Sequence, residues 1–262
     1  MTAPGTDADP ILSVEGVHKS FGGLSAVAGA AFAVRRGSLT ALIGPNGAGK
    51  TTLFDLVTGF ARPDRGAIRF EGREITGLAP HRVARSGLVR TFQLTRVFAA
   101  MTVLENMMLA APGQPGESLL RLAAQGAANR RSESAVRERA QALLRRFDLA
   151  EKARDYAGTL SGGQRKLLEL ARALMTAPRM VLLDEPMAGV NRVLGGRLLD
   201  HVEELRRTAG MTFLFVEHDM DIVMTRADHV VVMAEGAVIA DDRPERVRAD
   251  PRVIDAYLGR AR

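Results

Sequence analysis

Eight consecutive residues, Gly44, Pro45, Asn46, Gly47, Ala48, Gly49, Lys50 and Thr51, fit the pattern G-x-x-x-x-G-K-[ST]. Glycines strip side chains from the turn, so backbone N–H groups can converge on phosphate oxygens. A helix starting at Lys50 adds the partial positive charge of its N-terminus. This chemistry assigns the β- and γ-phosphates of a nucleotide to Lys50 and a Mg²⁺ ligand to the Thr51 hydroxyl, with Thr52 joining the phosphate-binding set. A glycine turn before a helix would explain the glycines, but not a lysine at that offset in a chain holding only Lys19, Lys50, Lys152 and Lys166. A second group must hold the metal. Residues 180–185 (MVLLDE) supply it, an apolar run delivering carboxylates to the C-terminal end of a strand, where α/β sheets place their ligands. Asp184 is expected to hold Mg²⁺ directly or through water, and Glu185 to polarise the attacking water as general base. A third string, Leu160-Ser161-Gly162-Gly163-Gln164, opens a helix and by itself reads as an N-cap with a flexible turn.

These groups need a scaffold. Residues 11–43 hold three short apolar runs, ILSVEGV, AAFAV and LTALI, separated by glycine-containing turns, the signature of strands. The third is apolar throughout, as a strand buried on both faces must be. A helix over 50–58 follows the phosphate loop, then a strand (AIRFE), a helical stretch near 80–86 and a strand ending at Thr91. Residues 95–160 are rich in Ala, Leu, Met and Arg with apolar spacing near 3.6, which predicts a helical subdomain; within it 112–140 is polar and basic, a solvated surface. Strands and helices alternate again after 161, with strands at 180–184, 211–217, 229–233 and 237–240. Such alternation implies a mostly parallel sheet covered by helices.

Composition narrows the class. The chain has 262 residues, 46% hydrophobic and 25% charged, which excludes a disordered or fibrous protein. It has no cysteine, so disulfide frameworks, thiol chemistry and cysteine-ligated metals are excluded. No apolar run reaches the ~18–20 residues of a membrane span. The start, MTAPGTDADP, lacks the layout of a signal peptide, and 1–10 is expected to be disordered. The net charge of +6 permits an anionic partner without naming one.

LSGGQ followed by a basic helix, 23 residues ahead of Asp184, resembles the hallmark of ATP-binding cassette (ABC) ATPases. The resemblance extends over about 11–259. It implies an α/β P-loop NTPase fold with a mostly parallel sheet core, an antiparallel β portion and an inserted helical subdomain, the core being 11–92 and 177–262 and the insertion 93–176. It also implies that ATP and Mg²⁺ are bound. Gln93, in RTFQ, matches the glutamine that approaches Mg²⁺ and the attacking water. His218, in FVEHD, matches the switch histidine at the γ-phosphate. Phe21 matches the aromatic position that stacks on adenine, a core phenylalanine being the competing reading. Ser161, Gly162, Gly163 and Gln164 match the signature that meets the γ-phosphate of ATP held by a second ATPase subunit, a copy or a paralogue. Asn191 stands where many members carry Asp.

FGGLSAV, RTFQLTRVFAAMTVLENMMLA, DEPMAGVN, FVEHDMDIVM and VIDAYLG together resemble the ATPase subunits of branched-chain (hydrophobic) amino acid importers, although Arg192 stands where proline is common. Importers of urea or short amides share most of these strings and remain the alternative. The implied partners are integral-membrane permease subunits and, indirectly, a solute-binding protein, at the cytoplasmic face of the inner membrane. No nucleic acid is expected: nucleic-acid-associated relatives carry two cassettes or a long coiled-coil insertion. A soluble nucleic-acid-associated ABC ATPase, and a kinase or GTPase in which LSGGQ has no job, stand as minor alternatives. Residues 94–101 (LTRVFAAM), with residues near Tyr156, are expected to line a groove for a permease helix, burial of Val97 and Phe98 in the core being the competing reading.

Overall fold

The computed structural model describes residues 10–91, 97–112, 126–190 and 192–258. The stretch 1–10 expected to be disordered therefore lies, apart from Pro10, outside the described residues. The chain divides into two compact units. The first comprises Met1–Arg90, Arg179–Pro186 and Val202–Arg262, the second Thr91–Pro178 and Met187–His201.

The first unit contains two sheets. Strands β1 (Leu12–Phe21), β2 (Leu24–Val34), β4 (Arg65–Phe70) and β5 (Arg73–Glu74) form an antiparallel sheet in the order β2-β1-β4-β5. The second sheet runs β10-β9-β3-β8-β7-β6, made of β3 (Leu39–Ile43), β6 (Leu88–Arg90), β7 (Met180–Asp184), β8 (Thr212–Val216), β9 (His229–Ala234) and β10 (Ala237–Asp242). All its pairings are parallel except β10 with β9.

Alternation explains the core. Leu42, Leu182, Leu214, Val216, Val231 and Met233 join one hydrophobic cluster with Leu53, Phe54, Leu56 and Val57 of helix α1 (Lys50–Val57) and with Val14, Phe32, Ile68 and Phe70 of the antiparallel sheet. The intervening residues, among them Ala41, Ile43, Leu183, Phe213 and Phe215, are equally buried. The parallel strands are thus apolar on both faces because both are covered. Strands β1 and β2 outrun the apolar runs that announce them, since register shifts along β1 interrupt the alternation that sequence patterning relies on. The first unit is completed by α2 (Pro80–Arg85) and, later in the chain, by three further short helices introduced below with the site.

The second unit is helical: α3 (Val103–Leu109), α4 (Gly126–Arg146), α5 (Gly162–Leu174) and the start of α6 (Arg192–Ala209), with 3₁₀ turns at Ala150–Lys152 and Ala157–Thr159. Thr102 and Ser161 open α3 and α5 with reciprocal capping boxes, using Glu105 and Gln164. Sequence reading assigns Met187–His201 to the α/β core; in the structure this stretch clusters with the helices. The reason is packing, because Gly163 lies flat against Leu194 and the Phe147 and His201 rings are 4.8 Å apart.

Candidate functional site

The phosphate loop connects the buried strand β3 to α1. Gly44 has φ 149° and Gly49, the N-cap of α1, has φ 97°, both in the region that favours glycine. A Cβ at Gly44 would strike the Met233 carbonyl, and one at Gly49 the Ala26 carbonyl, so neighbouring strands press the loop into its curl. No side chain caps α1 and its first turn carries no acid, which leaves the helix N-terminus open to an anion. The buried Lys50 ammonium donates to the carbonyls of Gly44 (2.7 Å) and Pro45 (3.0 Å), clasping the loop from inside. Thr51 is exposed at the mouth.

Asp184 ends β7 and Glu185 follows it. Glu185 adopts φ 47°, a left-handed conformation that costs a non-glycine residue about 1–3 kcal/mol and is held by its N–H donating to the Val216 carbonyl. His218 follows β8, and its Nε2 lies 2.7 Å from Glu185 Oε1. The flanking acids fix the histidine backbone. Glu217 accepts from the His218 N–H, and Asp219 caps α7 (Met220–Arg226) by accepting from the N–H groups of Asp221 and Ile222. Sequence reasoning missed both roles, although the string EHD carried the signal. It also missed Arg90. This buried guanidinium donates to Asp184 Oδ2 at 2.6 Å and to Asp55 Oδ1 at 2.5 Å. No local pattern announces such a pairing across 94 residues.

A cleft of about 590 Å³ brings Phe21, Asn46, Gly47, Ala48, Gly49, Lys50, Thr51, Thr52, Glu185 and His218 together, and adds Leu24, Ser25, Ala26 and Glu235. That volume suits a nucleotide-sized ligand. Phe21 is 53% exposed and Leu24 72%, facing each other as a β1–β2 pair. The core reading of Phe21 fails for this reason; an exposed ring beside the phosphate loop offers a stacking face. Lys19 lies 5.3 Å from its centroid. From the C-terminus, α8 (Pro244–Ala249) leads to α9 (Pro251–Leu258), whose Tyr257 reaches the Gly44 backbone. Burial pushes its phenol up to about 12, partly offset by the hydrogen bond from Gly44.

In the second unit, Ser161 accepts from the Gln164 N–H at 3.2 Å, and Gln164 Oε1 accepts from the Ser161 N–H at 2.9 Å. The Gln164 side chain is committed to this cap, while Ser161 and Gly162 are exposed. Gln93, Asn191 and residues 94–96 lie outside the described residues. Phe98 is 48% exposed and Tyr156 60%, so neither is core. The Phe98 backbone is nonetheless fixed, because buried Asn106 accepts from its N–H (2.9 Å) and donates to its carbonyl (3.0 Å).

The donor set fits Mg²⁺ bound beside phosphates. An Asp carboxylate at a strand end and an exposed Thr hydroxyl are hard oxygen ligands, and Mg²⁺ completes its shell with phosphate and water rather than with an all-protein cage. Among the described residues, no group of three or more acidic or imidazole side chains is arranged to hold a metal ion by itself. Nor, among the described residues, is any helix long and apolar enough to cross a membrane.

The chain is similar to known ATP-binding cassettes over almost its whole length. The family model for the ABC transporter matches residues 27–188, and that for the branched-chain amino acid ATP-binding cassette transporter matches 237–262. The chain is 46% identical to the high-affinity branched-chain amino acid transport ATP-binding protein BraF of Pseudomonas aeruginosa, covering 96% of this chain and 99% of the relative. It is 40% identical to the corresponding protein LivG of Escherichia coli, covering 97% and 100%. A crystal structure of a nucleotide-free ATP-binding cassette from an ABC transporter superposes with a TM-score of 0.82 at 41% identity, over 96% of this chain and all of the other. One in the ADP conformation also gives 0.82, at 39% identity over the same shares.

Proposed function

Since the chain belongs to the ABC transporter family, we propose that it is the ATP-hydrolysing subunit of an importer that takes up branched-chain or other hydrophobic amino acids through separate permease subunits. The observation that carries this reading is the convergence, in one cleft, of the phosphate loop, the Glu185–His218 pair and the exposed Phe21 ring. The branched-chain relatives and the matched C-terminal segment support the substrate class. Reconstitution with the permease subunits in liposomes tests it: leucine uptake should depend on ATP, and uptake of urea instead would overturn the substrate.

In the mechanism, the loop N–H groups and the α1 N-terminus receive the phosphates, and Lys50 turns its ammonium from the Gly44 and Pro45 carbonyls towards them. Thr51 and Asp184 would hold Mg²⁺, which when bound neutralises developing charge on the phosphates. Glu185 takes the proton of the attacking water, and His218, hydrogen-bonded to it, orients the carboxylate and faces the γ-phosphate. Gln93 completes the water-positioning set. Ser161 and Gly163, at the N-terminus of α5, serve the nucleotide of a second ATPase subunit related head to tail. ATP bound between the two favours the closed pair, and closure drives the permease.

Ser161→Arg should spare ATP binding by the single subunit and abolish ATP-driven pairing, at the cost of the helix cap, about 1 kcal/mol of stability. Mixed with Lys50→Ala, it should regain part of the activity, because one composite site is then intact. An inactive mixture of correctly folded variants would exclude a shared site.

Phe98→Asp should melt within about 3 °C of the parent, since exposed substitutions usually change stability by no more than ~0.5 kcal/mol. Basal ATPase should persist, while permease-stimulated ATPase and transport fall several-fold. A large drop in melting temperature together with basal activity would remove Phe98 from the permease groove.

A further inference from the structure

Arg90 ends β6, and only 7% of its side chain is exposed. Its two terminal nitrogens hold different carboxylates, Asp184 on β7 and Asp55 on α1, while its face lies 5.6 Å from the Phe54 centroid. Asp184 is equally buried, whereas Asp55 is 37% exposed. One guanidinium therefore ties the strand end that presents Asp184 to the helix that presents Lys50 and Thr51. A buried carboxylate without a partner is costly, and the 2.6 Å contact with Arg90 supplies that partner and holds Asp184 in place at the strand end.

We propose that Arg90 is a positioning residue that acts as the resident counter-cation of Asp184 and sets the Mg²⁺ concentration at which the ATP-loaded site fills. The proposal rests on the assignment of Asp184 as the metal carboxylate. Two cations sharing one carboxylate weaken each other, and linkage makes the two effects equal. Asp55 modulates the competition: by drawing on the same guanidinium it relaxes the hold on Asp184. A purely structural clamp would act differently, with loss of either end disordering the site and weakening metal binding.

The experiment titrates the full chain, loaded with a non-hydrolysable ATP analogue, with Mn²⁺ followed by electron paramagnetic resonance and with Mg²⁺ in competition. Arg90→Met, which keeps an unbranched apolar stem but removes the guanidinium, should tighten the metal about tenfold and lower the melting temperature of the metal-free protein. Arg90→Lys, retaining the charge without the two-pronged fork, should return the metal midpoint to within about threefold of the parent. Asp55→Asn should shift the midpoint the other way, about threefold weaker, and this shift should shrink in the Arg90→Lys background, where one ammonium cannot grip both carboxylates. Unchanged or weaker metal binding in Arg90→Met overturns the proposal. If that variant does not fold, additive shifts of Asp55→Asn and Arg90→Lys overturn it. The site assignment is checked separately by Asp184→Asn, which should weaken the metal at least tenfold. No shift there refutes the assignment, and the role of Arg90 with it.

Discussion

Glu185→Gln should lower ATP turnover by about 10²–10⁴-fold, the usual contribution of a positioned general base, and leave ATP affinity nearly unchanged. The substitution is well isolated. Glutamine has the length of glutamate, can keep the contact with His218, and meets the same left-handed backbone at φ 47°, so neither packing nor strain changes. What disappears is the capacity to take a proton from water. ATP then stays bound without being cleaved, and two subunits should remain closed around it. Size-exclusion chromatography with Mg-ATP should show a stable dimer, and single-turnover assays should show almost no phosphate release. Hydrolysis at the parental rate would transfer the role of base to another group.

Lys50→Ala should weaken ATP binding by about 10²-fold or more. A charge-assisted hydrogen bond contributes ~1.5–3 kcal/mol, and the ammonium is positioned to make more than one to the phosphates. The structure adds a second expectation. Lys50 clasps the Gly44 and Pro45 carbonyls, so its removal loosens the loop before any nucleotide arrives. The nucleotide-free variant should therefore melt lower than the parent, and saturating ATP should recover little of the difference. Calorimetric titration with an ATP analogue measures the affinity, and affinity retained within threefold would refute the placement of Lys50 on the phosphates.

The two variants test residues that differ in how readily the sequence disclosed them. The phosphate loop is contiguous: its glycines, lysine and threonine act through one short turn, and spacing alone carries the chemistry. Asp184 and Glu185 were legible because an apolar strand must deliver whatever follows it to the sheet's C-terminal edge. His218 was different. Its partner Glu185 is 33 residues away, and only the order of the parallel strands, with β7 beside β8, makes them neighbours. Its role therefore came from family resemblance rather than from residue chemistry. Arg90 was invisible for the same physical reason, since ion pairs between distant segments follow from topology and leave no periodic trace. The two-residue strand β5 is too short to show alternation, and it too was missed. Membership of Met187–His201 in the helical unit depended on a close helix contact at Gly163 and Leu194, which no hydrophobic pattern encodes.

The central position of β3 has a consequence for how the protein is made. Its neighbours β8 and β9 lie far downstream, with Ile43 pairing opposite Val232 roughly 190 residues later. A ribosome adding ~5–20 residues per second needs roughly 10–40 s to cover that distance. For that interval the nascent chain carries an apolar strand and its glycine loop without the flanking strands, and the Met233 carbonyl that curls Gly44 does not yet exist. Nucleotide therefore cannot act as a ligand that guides early folding; it can only trap a sheet assembled near the end of synthesis. The antiparallel sheet, complete once β5 has emerged, is the part free to form first and shield the exposed strand.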